Sequence, residues 1–330
     1  MNVAILGCAH IHTPDFVKRL KARKDVTVKT VWDHDAARGQ KHADDLGARF
    51  LGDVRAILDD PEVKAGIICS ETNRHQELAV PAARAKKHLF IEKPIGVGAR
   101  DANAIADAVE QAGVIFQTGY ATRSFPPVLF LREQVQKGSL GKITRARASV
   151  CHSGALGGWF DKEWRWMADP KQSGVGAFGD LGTHGLDILL WLFGPVDSVT
   201  ATLDNGTARY PNCDETGEAI IRFKSGVIAT LAAAWDDVAN PVSYQISGTE
   251  GHAMILNDEV YFKSPKVEGA DGKSPVKELP KGRPHAFELF LDALSGQDVP
   301  LVGVREAAYR CTVMEAIYHA AQNRAWISVG

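Results

Sequence analysis

The sequence predicts an α/β protein with two domains. The first holds a doubly wound parallel sheet, and the second is an α+β domain with a large, open, mainly antiparallel sheet. The chain has 330 residues, which is longer than a single hydrophobic core usually grows. Short apolar runs alternate with helical patterns in the first third, and longer strand-like runs with polar alternation follow. We place the boundary between residues 1–123 and 124–330.

The first domain is predicted to consist of βαβ units, because each apolar run is separated from the next by a helical pattern long enough to cross back over the sheet. The strands are expected at 3–6, 26–32, 65–69, 89–91 and 114–117, and the helices at 14–23, 36–46, 75–86 and 99–112.

The second domain is predicted to contain a sheet with one wet face, because apolar and polar residues alternate along its strands. Ser225-Gly226 separates two of these runs and indicates a hairpin. The segment 264–283 is rich in Lys, Gly, Pro and Ser and is predicted to be a mobile surface loop. The strands are expected at 143–150, 196–203, 218–223, 227–234 and 242–247, and the helices at 178–193, 284–293 and 304–322.

Charge and cysteine content limit the partners of the chain. The 38 basic and 40 acidic residues give a net charge of −2 and are scattered, which argues against nucleic acid and favours a small ligand. Five widely spaced cysteines without a Cys-x-x-Cys pair indicate neither disulfides nor structural zinc. The start of the chain does not fit a signal peptide, and no apolar run approaches about 18 residues. We therefore expect a cytoplasmic protein without a membrane partner.

The segment after the first strand lies where a Rossmann fold has its Gly-x-Gly-x-x-Gly turn. Alanine and histidine replace the second and third glycines, so from its spelling the segment is equally consistent with an ordinary strand-to-helix turn. The candidate cofactor-binding residues here are Gly7, Ala9, His10, Ile11 and His12.

Asp33 strengthens the nucleotide interpretation, because it ends the second strand about 20 residues past the turn, where a carboxylate binds an adenosine ribose. No arginine follows it immediately, so a 2′-phosphate would meet uncompensated negative charge, and NAD is favoured over NADP. His10 and His12 have no carboxylate or thiolate cluster nearby in sequence, so we predict no metal site.

Lys93 is a candidate catalytic residue, because the tripeptide Glu92-Lys93-Pro94 follows the apolar run His88-Leu-Phe-Ile91. Ligands of open α/β sheets bind at the carboxyl ends of the strands. The alternative is a surface lysine that closes a strand.

Asp180 and His184 form a second candidate cluster, because a spacing of four places a carboxylate and an imidazole on one helix face. An imidazole is suited to general acid and base catalysis. Four glycines between 174 and 182 allow close backbone approach around the pair. The alternatives are a solvated polar face or a satisfied core pair.

These residues resemble the Gfo/Idh/MocA oxidoreductases, which include glucose-fructose oxidoreductase and inositol dehydrogenase. Glu92-Lys93-Pro94 is similar to the Glu-Lys-Pro motif of that family, and the segment 174–187 is similar to its later Asp-x-Gly-x-His motif. The resemblance extends from the first strand to the closing helix. It implies an N-terminal Rossmann domain, a C-terminal domain with an open antiparallel sheet, and homodimers or homotetramers built through that sheet.

The resemblance also implies roles for individual residues. Lys93 would bind and polarise the reacting oxygen, Asp180 would bind the substrate, and His184 would be the general acid or base. Ser70-Glu71-Thr72 replaces the commoner Thr-Pro-Asn of the family. The further cofactor contacts would be Ser70, Glu71, Thr72, His75, Glu92 and Lys93, with Arg123 reaching cofactor or substrate and Trp164 and Arg165 on the substrate side.

The resulting hypothesis is hydride transfer between NAD(H) and a hydroxyl-bearing carbon of a sugar, a cyclitol or a related derivative. Trp159, Phe160, Trp164 and Trp166 supply aromatic faces that suit polyhydroxylated rings, although core packing explains any one of them equally well. One alternative is NAD-dependent glycoside hydrolysis through transient oxidation of the sugar. The other is a non-enzymatic NAD or sugar sensor, which the presence of both Lys93 and His184 disfavours.

Overall fold

A computed structural model describes all residues from Met1 to Gly330. The first sheet has six parallel strands in the order β3-β2-β1-β4-β5-β6, and this confirms the predicted Rossmann sheet. Its strands are β1 (Asn2–Cys8), β2 (Thr27–Trp32), β3 (Arg49–Phe50), β4 (Val63–Cys69), β5 (His88–Ile91) and β6 (Phe116–Thr118). Its helices are α1 (Thr13–Ala22), α2 (Ala36–Leu46), α3 (Val54–Leu58), α4 (His75–Arg84) and α5 (Gly98–Ala112).

The central strands β1, β4 and β5 of this sheet are mainly apolar because both of their faces are covered. Along β1, Ala4 and Leu6 belong to one hydrophobic core and Val3 and Ile5 belong to another. Such double burial produces continuous apolar runs instead of alternation.

The second sheet has nine strands in the order β14-β13-β12-β11-β7-β10-β9-β8-β15, and its pairings are antiparallel apart from one. Its strands are β7 (Ile143–Cys151), β8 (Val196–Asp204), β9 (Thr216–Phe223), β10 (Ile228–Ala234), β11 (Val242–Gly248), β12 (His252–Leu256), β13 (Glu259–Lys263), β14 (Asp271–Pro275) and β15 (Ile327–Ser328). The accompanying helices are α6 (Pro126–Gln136), α7 (Pro170–Ser173), α8 (Ala177–Phe193), α9 (Ala286–Leu294) and α10 (Val304–Asn323).

The exception is the central pair β7 and β10, which runs parallel, with Cys151 opposite Ala234 at the carboxyl ends. Helix α8 lies directly on this pair. The approach is close enough that a Cβ on Gly185 would come within 2.6 Å of Leu231 Cδ1. The two strand ends and the start of α8 therefore meet at one edge of the second sheet.

The sequence prediction missed several elements and was wrong about one segment. The segment 264–283 is not a loop throughout, because β14 lies within it and pairs with β13 at the sheet edge. Its residues Asp271-Gly-Lys-Ser-Pro275 are mostly exposed, so an edge strand of this composition carries no apolar periodicity. Helix α6 and strands β12 and β13 were also not predicted.

The chain returns to the first sheet near its end. Phe287 and Phe290 of α9 pack in the same core as Phe16 and Phe90, and the ring centroids of Phe16 and Phe287 lie 4.5 Å apart. The first half of α10 packs against the opposite face. The division at residue 123 thus stays a prediction, to which the structure adds this C-terminal cover.

None of the helices combines the length and the apolar character that crossing a membrane requires.

Candidate active site

Lys93 is the second residue after β5, and its side chain reaches from the first sheet to the second domain. It is buried, and Nζ donates to Asp180 Oδ1 at 2.6 Å and to the Asp180 carbonyl oxygen at 3.1 Å. The structure therefore brings together two of the three predicted catalytic residues, which are far apart in sequence.

The amino terminus of α8 positions Asp180, and the closing helix holds that terminus. Tyr318 of α10 accepts hydrogen bonds from the backbone N–H groups of Gly176 and Gly179, both at 3.0 Å. Its hydroxyl in turn donates to Asp214 Oδ1 at 2.9 Å. These bonds satisfy N–H groups that a helix start leaves free and fix the first turn, in which Asp180 lies.

Asp180 is an ionised carboxylate with two partners. Burial raises its pKa, but the Lys93 ammonium outweighs burial and brings the pKa down to about 2. Its second oxygen accepts a hydrogen bond from Trp235 Nε1 at 3.2 Å. Lys93 is thus held at a defined position by a carboxylate that is itself fixed.

His184 lies one turn further along α8, as the spacing predicts, and is a neutral imidazole. Burial and the Lys93 ammonium lower its pKa to about 3. Its Nδ1 atom is buried and has no hydrogen-bond partner. A neutral imidazole with a free ring nitrogen beside a lysine can accept or return the proton of a substrate hydroxyl.

Glu92, His10 and His12 form a cluster beside Lys93. Glu92 is fully buried, accepts the backbone N–H of Lys93 at 2.8 Å and lies 3.1 Å from His12 Nδ1. His10 Nε2 lies 3.9 Å from the other Glu92 oxygen. We expected no metal because the sequence shows no carboxylate near the two histidines. That expectation is wrong in its reason, because Glu92 lies beside both of them.

The chemistry of His10 nevertheless disfavours a metal at this cluster. Its Nδ1 accepts the backbone N–H of His12 at 3.2 Å, and burial lowers its pKa to about 3. The neutral ring then carries its proton on Nε2, the atom that faces Glu92, and a protonated nitrogen is not a metal ligand. The absence of a metal stays a prediction on this new ground.

The carboxyl edge of the first sheet fits a dinucleotide. Gly7 has φ +89°, and a Cβ there would lie 2.5 Å from Ser70 Cβ. The turn therefore packs closely against the residue that follows β4. No side chain caps the amino terminus of α1; the N–H groups of Thr13 and Asp15 donate to the carbonyls of His10 and His12 at 2.9 and 3.0 Å. Glu71 Oε2 is buried without a hydrogen-bond partner. Thr72 is buried next to it.

Asp33 lies at this edge, but it is not uncompensated as the sequence suggested. Arg38 binds it with two hydrogen bonds of 2.7 and 2.8 Å and also donates to Glu71 Oε1 at 3.0 Å. Asp33 Oδ2 also accepts a hydrogen bond from the backbone N–H of Cys8 at 2.7 Å. The preference for NAD therefore cannot rest on a bare negative charge.

His75 does not face a cofactor. Its Nδ1 lies 3.1 Å from the carbonyl oxygen of Pro94, and its Nε2 lies 3.2 Å from that of Ser70. The ring is fully buried, so both nitrogens are occupied by the backbone. We reassign His75 to holding the ends of β4 and β5 together.

Arg123 is also occupied elsewhere. Its guanidinium forms two hydrogen bonds of 2.8 Å with buried Asp187 and a third with Glu306. Arg310 contacts the same two carboxylates. The predicted reach to cofactor or substrate is replaced by a structural network between α8 and α10.

The predicted substrate-side pair makes no hydrogen bond or ion pair with Lys93, Asp180 or His184. Trp164 packs against the large core, and the exposed Arg165 places its guanidinium 5.0 Å from the Tyr210 ring centroid. Neither makes a contact with the three catalytic candidates in this structure.

Three residues at the site were not predicted as site residues. Trp166 donates a hydrogen bond to the Ala9 carbonyl at 3.0 Å and so connects the second domain to the nucleotide turn. Ile11 of the same turn packs against the large core of the second domain. Trp235 and His152 follow the paired ends of β10 and β7. Their position just after two predicted strands could have indicated site residues. The sequence did not show that these two strands, β7 and β10, pair in parallel.

A Rossmann sheet, an open second sheet and a Lys, Asp and His cluster at their junction define a two-domain dinucleotide-binding oxidoreductase. Residues 1–120 match the family model described as "Oxidoreductase family, NAD-binding Rossmann fold", and residues 128–254 match the "GFO/IDH/MocA C-terminal domain". The chain belongs to the Gfo/Idh/MocA family, and its first domain is an NAD-binding Rossmann domain.

Similar proteins include two named dehydrogenases. Levoglucosan dehydrogenase of Pseudarthrobacter phenanthrenivorans is 26% identical over 63% of this chain, which spans only 58% of that relative. Myo-inositol 2-dehydrogenase of Thermotoga maritima is 28% identical over 70% of this chain and 67% of its own length. A solved levoglucosan dehydrogenase in complex with NADH and levoglucosan has a TM-score of 0.82 at 20% identity, and covers 100% of this chain and 99% of its own, which supports the fold.

Proposed function

We propose that this protein transfers a hydride between NAD(H) and a hydroxyl-bearing or keto carbon of a sugar, a cyclitol or a related derivative. The observation that carries the proposal is the Lys93 and Asp180 ion pair of 2.6 Å beside the unpartnered Nδ1 of neutral His184. The names of the two dehydrogenase relatives support the same substrate class.

The side chains divide the work as follows. Lys93 binds the reacting oxygen and stabilises negative charge that develops on it. His184 takes the hydroxyl proton during oxidation and returns it during reduction. Asp180 keeps the lysine aimed at the oxygen. When bound, the nicotinamide supplies or accepts the hydride.

Two alternatives come from the same site. A glycosidase that oxidises the sugar transiently would release an aglycone without net NADH formation. A sensor would bind NAD without turnover, and a neutral His184 with a buried, unpartnered Nδ1 beside Lys93 has no use in such a protein.

The direct test is to follow nicotinamide absorbance with NAD and with NADP across a panel of pyranoses, cyclitols and their keto derivatives. We expect NADH formation with at least one polyol and a preference for NAD. Aglycone release from aryl glycosides without net NADH would favour the glycosidase. If nicotinamide absorbance changes with no compound of the panel although the protein binds NAD, the sensor would be favoured.

We also propose that the protein forms a homodimer or homotetramer through the open face of its second sheet. A cytoplasmic location stays a prediction from the sequence. Ile220 and Ile228 on this face are 40% and 46% exposed, although the opposite face is fully packed. A shallow depression there is lined by Arg145, Ala146, Arg147, Ile228, Thr230, Gln245 and Ser247.

Light scattering behind a sizing column is expected to give two or four chain masses for the wild type. The double variant Ile220→Lys and Ile228→Lys should shift this mass toward one chain, because two charges would be buried in the interface. A monomeric wild type would contradict the proposal.

A further inference from the structure

We propose that Trp159 and His152 form the subsite that holds the non-reacting part of a closed-ring substrate. This inference rests on the proposed function and adds two residues to it. The indole would face the C–H side of the ring, and the imidazole would donate a hydrogen bond to a hydroxyl near the reacting carbon.

Trp159 is the aromatic residue available for this contact. Phe160 is buried against Trp235, with their ring centroids 4.2 Å apart, and Trp166 is committed to the Ala9 carbonyl. Trp159 is 47% exposed, which is unusual for a residue whose burial is strongly favourable. Of these aromatic residues beside the active site, it alone keeps so much of its ring free for a ligand.

His152 places a polar group next to that ring. Its centroid lies 4.7 Å from the Trp159 ring, with 33° between the planes. Its Nδ1 accepts the backbone N–H of Gly154 at 2.9 Å, so the neutral imidazole carries its proton on Nε2. This nitrogen is thereby a donor with a fixed tautomer.

The position of His152 connects the pair to the catalytic residues. It directly follows β7, and its N–H donates to the carbonyl of Ala234 at 2.9 Å, one residue before Trp235. Burial lowers the pKa of His152, with Asp180 raising it and Lys93 lowering it. Trp235 in turn donates its Nε1–H to Asp180 Oδ2 at 3.2 Å, so the backbone of His152 is joined through Ala234 and Trp235 to the catalytic ion pair.

The backbone of the loop is built around the two rings. A Cβ on Gly154 would come within 2.6 Å of His152 Cε1, and a Cβ on Gly157 would come within 2.9 Å of Trp159 Nε1. The loop thus leaves no space for a side chain at either position without moving a ring. The adjacent charges of Asp161 and Arg209 are paired at 2.9 Å, so the platform itself is uncharged.

A rigid ring offers a flat C–H face to an indole, whereas an acyclic polyol does not. The pair is therefore expected to distinguish closed rings, such as pyranoses and cyclitols, from open-chain alditols. The contact acts on binding and leaves the proton transfer at His184 unchanged.

The test uses the full-length enzyme, with myo-inositol and methyl glucoside as ring probes and sorbitol as the open-chain probe. Trp159→Ala is expected to raise KM for the better ring probe roughly tenfold, since losing an aromatic contact of about 1.4 kcal/mol is tenfold in affinity. We expect kcat, NADH affinity and the KM for sorbitol to stay within about twofold. Trp159→Tyr should restore most of the loss. Trp326→Ala, at an equally exposed tryptophan, 53% exposed, is the matched control.

Substitutions at His152 and Gly154 distinguish the hydrogen bond that His152 donates from the ring contact that Trp159 makes. His152→Phe keeps a ring against Trp159 but removes the donor and should raise KM, and His152→Gln should partly rescue it. Gly154→Ala displaces the imidazole without changing its chemistry and should act like His152→Phe. Gly52→Ala, where an added Cβ meets nothing within 4 Å, is its control.

The outcomes distinguish this inference from the proposed function. An unchanged KM in Trp159→Ala and His152→Phe, or a wild type that does not prefer rings, overturns the subsite alone. A wild type that neither reduces NAD with any polyol nor oxidises NADH with any keto derivative overturns the proposed function and the subsite together.

Discussion

Lys93→Met is expected to lower kcat/KM by roughly 10³-fold, because it removes the only cation bonded to Asp180 and with it the stabilisation of the reacting oxygen. The NADH dissociation constant should change by less than about threefold, since binding is shared among many contacts along the first sheet edge. Steady-state kinetics and NADH fluorescence titration measure the two quantities separately.

Loss of folding is the competing explanation for an inactive Lys93 variant, since an unpaired buried Asp180 costs about 3–5 kcal/mol. The double variant Lys93→Met and Asp180→Asn removes that charge and should fold better while staying inactive. Lys87→Met is the matched control: Lys87 is also buried, but its Nζ donates only to the carbonyls of Asp60 and Val63. It is expected to lose stability and keep kcat. Wild-type turnover in Lys93→Met would refute the mechanism.

The second large effect is acid destabilisation that begins above the ordinary pKa of a carboxylate. His10 and His184 have pKa values lowered to about 3 from an ordinary value of 6.5. The unfolded chain therefore binds protons below pH 6.5 that the folded chain rejects, so stability falls as pH falls. From pH 6.5 to about 5 the loss is about 1.6 kcal/mol for each histidine and about 3.3 kcal/mol together.

Urea unfolding of the ligand-free protein across this pH range measures the effect. His184→Asn should reduce the acid loss by the share of one imidazole, about 1.6 kcal/mol, while His10 and the fully buried His75, whose pKa burial also lowers, keep their shares. His319→Asn, at an exposed position on α10, serves as the control and should leave the loss unchanged. A free energy of unfolding that stays constant from pH 6.5 to about 5 would contradict a neutral buried state for both imidazoles.

The features that the sequence predicted well depend on local order. Lys93 could be placed because it follows a continuously apolar strand, and ligands gather where such strands end. Asp180 and His184 could be paired because a spacing of four is one turn of helix. The Rossmann sheet was visible because strands buried on both faces are separated by helices.

The features that were missed depend on partners that only the folded backbone brings together. Arg123 pairs with Asp187 and Glu306, and nothing in the segment around Arg123 indicates either carboxylate. Arg38 lies five residues beyond Asp33, one turn into α2, so its return to that carboxylate requires the strand-to-helix turn itself. His75 was misassigned for the same reason, because its partners are backbone carbonyls at two strand ends.

The return of α9 to the first sheet has a consequence for how the chain folds during synthesis. Phe287 and Phe290 complete a core that Phe16 and Phe90 begin, and Val304, Ala307 and Cys311 of α10 complete the other. While the ribosome is still making the second domain, both faces of the nascent NAD-binding sheet lack part of their apolar cover. Contacts that span nearly the whole chain close late, and exposed apolar surface favours aggregation. Emergence of α9 and the first half of α10 from the ribosome is therefore the step that completes the apolar cover of the nucleotide domain.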